Sequence, residues 1–234
     1  MAKGSKIKRL FKYVLYLIFA FILLSVLTVT VYKFVSLPVT PLMFIRSNEM
    51  MKNNQTVQIK HKWVSIDKMS PYLFQAVLAA EDDMFLEHNG FDFDAMRKAY
   101  NSNKKNTKKI KGGSTVSQQT AKNVFLWPKR SYLRKGLEAW FTILIEIIWG
   151  KERIMEEYLN VVELGNGIFG VEAASQKYFK KSASVLTKYE AASLISVLPN
   201  PNKFSVLNPS AYTARYRASI LNRMNYIPKP NFDK

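Results

Sequence analysis

Glu81-Asp82-Asp83 is followed at short spacing by Phe85, His88, Gly90 and Asp92. About one helix and a loop later, Gly112-Gly113 opens onto Ser114, Thr115, Gln118, Gln119, Lys122 and Asn123. Carboxylates with an imidazole, then a glycine turn with hydroxyls, amides and an ammonium, suit sugar hydroxyls and phosphates. Glu81 falls at the C-terminal end of a predicted helix. The negative end of the helix dipole, together with Asp82 and Asp83, disfavours its ionised form. Both effects raise a carboxylate pKa toward the range a general base needs. Taken alone, the three acids equally fit the acidic end of an ordinary helix. Lys122 comes one helical turn after Gln118, so the two share a face. Ser114 and Thr115 sit at the N-terminus of that helix, where backbone N–H groups attract phosphate. Arg130, Arg134 and Lys135 lie near Glu138, with Arg134 one turn before it. Singly, these cations read as charges pairing along a helix surface.

The elements that must hold these residues are mostly helical. Ser70-Pro71 reads as an N-cap with proline at the first helical position, and Phe74, Val77 and Leu78 recur at helical spacing toward an end near Asp82. Thr115-x-x-Gln118 is a capping-box pattern that starts a helix running through Asn123. After Pro128, residues 131–149 form an apolar helix closed by Gly150, with 141–149 expected in the core. Further helices are expected over 151–160, 171–179, 188–198 and 211–224. Residues 33–60 read as an irregular juxtamembrane connector. The lysine-rich stretch 97–111 reads as a solvated, mobile loop. No alternating strand is expected after residue 60, which makes the domain mainly α.

The 234 residues allow one good-sized domain and an appendage. Residues 13–32 carry no charge, and at 1.5 Å per residue they span roughly the 30 Å hydrocarbon core of a bilayer. Lys3, Lys6, Lys8, Arg9 and Lys12 precede them without an acid. The positive-inside bias then keeps residues 1–12 in the cytoplasm as a basic tail and exports residues 33–234. The run is longer than the apolar region of a cleaved signal, and Phe34-Val35-Ser36-Leu37-Pro38 is a poor cleavage site, so a retained anchor is expected. Net charge is +18, from 35 basic and 17 acidic residues; without the five tail cations the exported part still carries +13. Such a balance favours anionic lipid and phosphate, and export argues against nucleic acid. There is no cysteine, so the core must form without disulfides.

Gly165-x-Gly167-x-x-Gly170 matches a dinucleotide fingerprint, but no strand is expected before it, and the match is rejected. Asp92-x-Asp94 is too short and common to carry weight. Ser-x-x-Lys occurs at Ser5, Ser65 and Ser102 without any Lys-Thr-Gly, so no penicillin-binding transpeptidase is implied. His61 and His88 are too few for a histidine zinc cluster.

The ordered motifs resemble the peptidoglycan glycosyltransferases, glycosyltransferase family 51. Glu81-Asp82-x-x-Phe85-x-x-His88-x-Gly90-x-Asp92 resembles the first family motif, and residues 112–123 the second. Arg134-Lys135-Gly136-Leu137-Glu138-Ala139 resembles the third, residues 151–160 the fourth, and residues 165–174 with Tyr178-Phe179 the fifth. Thr120 and Gly136 depart mildly from the usual choices. The resemblance implies a lysozyme-like helical catalytic domain over residues 61–234, behind one transmembrane helix, in the monofunctional form found in Gram-negative inner membranes. It implies polymerisation of lipid II into β-1,4 glycan with release of undecaprenyl diphosphate. Glu81 would be the general base and Glu138 the second carboxylate. Asp82, Phe85, His88, Ser114, Thr115, Gln118, Gln119, Lys122, Asn123, Arg130, Arg134 and Lys135 would bind substrate. No cofactor is required by the resemblance, which leaves open a divalent ion, Mg or Mn, at Glu138. Lipid II, the growing strand, membrane lipid and other cell-wall synthesis proteins are the partners it implies. The diphosphate leaving group needs cations where negative charge develops, which fits Lys122, Arg130 and Arg134. Two rivals stay open: a lytic muramidase-like enzyme, and a non-catalytic, membrane-tethered scaffold binding lipid II or glycan.

Overall fold

The computed structural model of the chain describes residues 2–54, 56–105, 112–129 and 131–228. Arg130 and the expectations for Lys108, Lys109 and Lys111 lie outside the described residues. The chain divides into two units, Met1–Ser36 and Leu37–Lys234. The first is one helix, α1 (Ala2–Phe34). Its residues 8–34 are long and apolar enough to cross a membrane. Thr28 and Thr30 donate their hydroxyls to the carbonyls of Leu24 and Val26 at 2.8 Å, so neither polar group requires water.

The second unit holds nine α-helices among the described residues: α2 (Pro41–Lys52), α3 (Pro71–Ala80), α4 (Phe93–Lys105), α5 (Val116–Phe125), α6 (Tyr132–Ile148), α7 (Gly150–Val161), α8 (Val171–Phe179), α9 (Lys188–Ile195) and α10 (Ala211–Arg223). A small three-stranded sheet joins β1 (Lys60–His61), β2 (Glu163–Gly165) and β3 (Ile168–Phe169) in the order β1-β3-β2. Helix α5 packs on α6 and α7, while α3 packs on α9 and α10. The core therefore closes around α5, which carries most of the second motif, and α3, whose end leads into the first. Helix α3 is apolar nearly all round, and every residue from Leu73 to Ala79 is buried, as expected of a helix with no solvent face.

Several expectations are corrected. Residues 33–60 are not irregular throughout: α2 starts on Thr40, whose hydroxyl accepts from the Met43 N–H, with Pro41 at the first position. The stretch 97–111 is not all loop, because α4 runs to Lys105. Asp92 starts it by accepting from the Ala95 N–H at 2.8 Å. Ser70 occupies the N-cap position of α3, but its hydroxyl donates to Leu186 O and caps nothing. Residues 141–149 are buried on one face only: Phe141, Leu144, Ile145 and Trp149 are inside, while Ile147 is 76% exposed. Strands do occur after residue 60, and β2 precedes the glycine pattern. The pattern turns an antiparallel β2–β3 hairpin, not a strand into a crossover helix, so the dinucleotide match still fails. Gly170 then starts α8 at φ +78°, where an added Cβ would lie 2.5 Å from Asn160 O.

Candidate active site

Glu81 is the C-cap residue of α3, just past the buried stretch Leu73–Ala79. Its Oε2 accepts from Gln119 Nε2 at 2.9 Å, across from α5. Among the described residues, Oε1 has no hydrogen-bond partner. Burial pushes the Glu81 carboxyl up from its ordinary value. The Gln119 bond and Lys122 pull it down, and Asp82 pushes it up. The expected direction holds, but its main cause is desolvation. Asp83 plays no part in it: exposed, it pairs with Arg223 of α10 at 3.2 Å.

The other residues of the first motif turn inward. Asp82 accepts from His88 Nε2 at 2.9 Å and from the Val116 N–H at 2.8 Å. It thus ties the first motif to the first turn of α5. His88 Nδ1 accepts from the Gly90 N–H at 3.1 Å, which leaves the ring proton on Nε2, facing Asp82. Phe85 is 0% exposed and meets the His88 ring edge-on, with Lys151 Nζ 4.7 Å from its centroid. Phe85, expected to bind substrate, is enclosed and packs against these two side chains. Gly90 takes φ +88°, and an added Cβ would meet Thr142 Cγ2 at 2.8 Å. This close approach brings the Gly90 carbonyl to the Thr115 hydroxyl, which donates to it at 2.7 Å. Thr115 and Gln118 complete the expected capping box on α5, with both side chains buried. Those contacts build the helix start, and Gln118 also edges a cavity on the α6 side.

That cavity, of about 460 Å³, is lined by Ser114, Gln118, Gln119, Lys122, Pro128, Arg134, Lys135 and Glu138. Three cations face it against one carboxylate. Arg134 Nη1 donates to Glu138 Oε2 at 2.9 Å, and Lys135 pairs with the other oxygen. Ser131 starts α6 by accepting from the Arg134 N–H, which fixes the turn these residues occupy. Lys122 reaches the cavity from α5 without a hydrogen bond or ion pair among the described residues. Burial pushes its ammonium below the usual lysine range, Glu138 and Glu81 oppose this, and Arg134 and Lys135 add to it. An ammonium so placed gains from an incoming anion. Glu81, Ser114, Gly112 and Gly113 line a smaller hollow beside it. Ser114 borders both spaces, and Gln119 links Glu81 to the cationic one. On the other side, Gln119, Lys122 and Asn123 also line a space of about 240 Å³ with Arg46, Trp127 and Glu163.

A divalent ion at Glu138 does not fit these residues. Both Glu138 oxygens are taken by cations, and three neighbouring positive charges oppose a further one. Among the described residues, no three acidic or histidine side chains group as metal ligands.

Sequence reasoning gave no role to Tyr158, Tyr216 or Arg46. Tyr158, inside the fourth motif, donates its buried hydroxyl to Gln119 Oε1 at 3.5 Å. Tyr216, on α10, donates to Ala80 O at 3.3 Å, one residue before Glu81. Arg46, on α2, pairs with Glu163 at 3.1 Å. Only Tyr158 lies in one of the five motifs; the other two leave no local signal.

A helical cleft with a desolvated carboxylate beside a cation-lined cavity has the parts of an enzyme that moves a sugar off a phosphate. The transglycosylase family model matches residues 47–225. Over 96% of its length the chain is 52% identical to a biosynthetic peptidoglycan transglycosylase of Bdellovibrio bacteriovorus, covering 90% of that protein. It is 51% identical over 93% of its length to the protein of the same description from Caulobacter vibrioides, of which 92% is covered. With the one from Bacteroides thetaiotaomicron the figures are 48%, 98% and 92%. The chain belongs to the transglycosylase family.

Proposed function

We propose that Glu81 is the general base by which this chain, a peptidoglycan glycosyltransferase, joins lipid II units into glycan. The observation that carries this reading is the pairing of a desolvated Glu81, with Oε1 open, and an adjoining cavity lined by Lys122, Arg134 and Lys135. The acceptor lipid II presents its sugar 4-hydroxyl to Glu81 Oε1. As the proton passes to the carboxylate, the hydroxyl oxygen bonds to the anomeric carbon of the growing chain. The bond from that carbon to the diphosphate breaks, the configuration inverts from α to β, and undecaprenyl diphosphate leaves. Negative charge grows on the departing diphosphate, where the three cations stabilise it more than in the ground state. Glu138 holds Arg134 and Lys135 in place for this. Asp82, His88, Thr115 and Gln118 set the relative position of α3 and α5, while Ser114 and Asn123 contact the sugars or phosphates.

The apolar α1 anchors the chain in a membrane. In this reading it is the inner membrane, crossed once, with the basic N-terminus in the cytoplasm and the catalytic unit in the periplasm. The cationic cavity favours this reaction over a muramidase, whose glycan bears no diphosphate at the bond it cleaves.

Incubating the purified full chain with lipid II alone separates the readings. Polymer with released undecaprenyl diphosphate is the expected result. No reaction would point to a scaffold, and cleavage of added glycan without polymerisation would point to a muramidase.

A further inference from the structure

We infer that Tyr158 is a positioning residue for Glu81, acting through the side-chain amide of Gln119. This rests on the reading of Glu81 as the base. Tyr158 is fully enclosed on α7, the fourth-motif helix, and its phenol points toward the junction of α3 and α5. A buried hydroxyl needs a partner, and the Tyr158 O–H finds one in Gln119 Oε1 at 3.5 Å. An amide whose oxygen is held there must turn its Nε2 to the other side. Nε2 donates to Glu81 Oε2 at 2.9 Å. The chain Tyr158–Gln119–Glu81 thus fixes which end of the amide faces the carboxylate and which carboxylate oxygen it takes. Oε1 of Glu81 is left for the sugar hydroxyl.

The charged and titratable groups that face Glu81 are Asp82 beside it, Lys122 on α5, Tyr158 on α7 and Tyr216 on α10. Of these, only Tyr158 is hydrogen-bonded to the amide that Glu81 accepts from. Without the phenol, the amide is free to rotate, its donation weakens, and the proton on Glu81 is held more tightly. The acid limb of the rate profile then moves to higher pH, an effect that a merely structural Tyr158 would not produce.

The test is the pH profile of kcat/KM for lipid II polymerisation by the full chain as wild type, Tyr158→Phe and Glu81→Gln. For a folded Tyr158→Phe we expect kcat to fall about tenfold, the size of one lost hydrogen bond. KM should change less than about twofold, as for an interaction made mainly in the transition state. The acid limb should lie at higher pH. An unchanged kcat and profile overturns the inference while leaving Glu81 in its role. An active Glu81→Gln overturns the reading beneath it. If Tyr158→Phe does not fold, 3-fluorotyrosine at position 158 decides. It keeps the shape and donates more strongly, so the limb should move to lower pH, and no movement overturns the inference.

Discussion

Glu81 and Glu138 are chemically identical side chains with opposite surroundings. Glu138 has a cation on each oxygen, whereas Glu81 has one amide and an open oxygen, with burial raising its pKa. Nothing in the three letters Glu81-Asp82-Asp83 separates a base from an acidic helix end. The difference arises from what α5, α6 and α7 bring to each carboxylate. Lys122 is legible only in part: its spacing from Gln118 gives the helix face, though not that its ammonium has no hydrogen bond or ion pair among the described residues. Lys122→Ala is expected to lower kcat by at least about a hundredfold, with a smaller change in KM, because the ammonium acts on charge that develops at the leaving diphosphate. Steady-state kinetics on lipid II check this. A rise in KM alone would make Lys122 a docking contact. Lys104→Ala and Lys105→Ala, in the last turn of α4, should leave kcat unchanged.

Among elements, those with a strong local rule were legible. The capping box placed α5, and proline after serine placed α3. The elements that escaped notice had weak or misleading signals. Helix α4 carries no fully buried residue, so its lysines read as loop. The strands have two or three residues each, too short for an alternating pattern. Helix α2 is stabilised by Thr40 and by the Arg46–Glu163 pair across 117 positions of sequence, which no local window contains. Gly136 allows a test at this scale. It lies within α6, and a Cβ there would meet nothing within 4 Å. Gly136→Ala is therefore expected to stabilise the fold by about 0.5–1 kcal/mol through helix propensity alone. Thermal or chemical unfolding of the full chain measures it. A loss of stability would mean that the glycine serves a contact of α6 absent from this fold.

Across the whole molecule, the long apolar N-terminal helix and the helical second unit were both readable, because a long uncharged run and five ordered motifs each carry their own signal. Buried charges between elements were not. Glu157 is 0% exposed, with Oε1 bonded to Trp63 and Arg153 and Oε2 without a partner among the described residues. Burial pushes its carboxyl up to about 7, against the pull of Arg153 and Trp63. A carboxyl whose folded pKa exceeds its unfolded value contributes stability below the unfolded pKa and loses it as pH rises through the folded one. The wild type should therefore lose stability between about pH 4.5 and 7 relative to Glu157→Gln, by on the order of 3 kcal/mol. Parallel Tm–pH curves for the two proteins would contradict this.

That Glu81 takes the proton in glycan polymerisation is tested most directly by turnover of lipid II by Glu81→Gln in the full chain, apolar N-terminal helix included. The amide keeps the shape of the carboxylate and removes a desolvated charge, so folding and lipid II binding should survive. Polymerisation should fall at least about a hundredfold, as when a general base is lost. A folded Glu81→Gln that polymerises lipid II within about tenfold of the wild-type rate would place the base elsewhere.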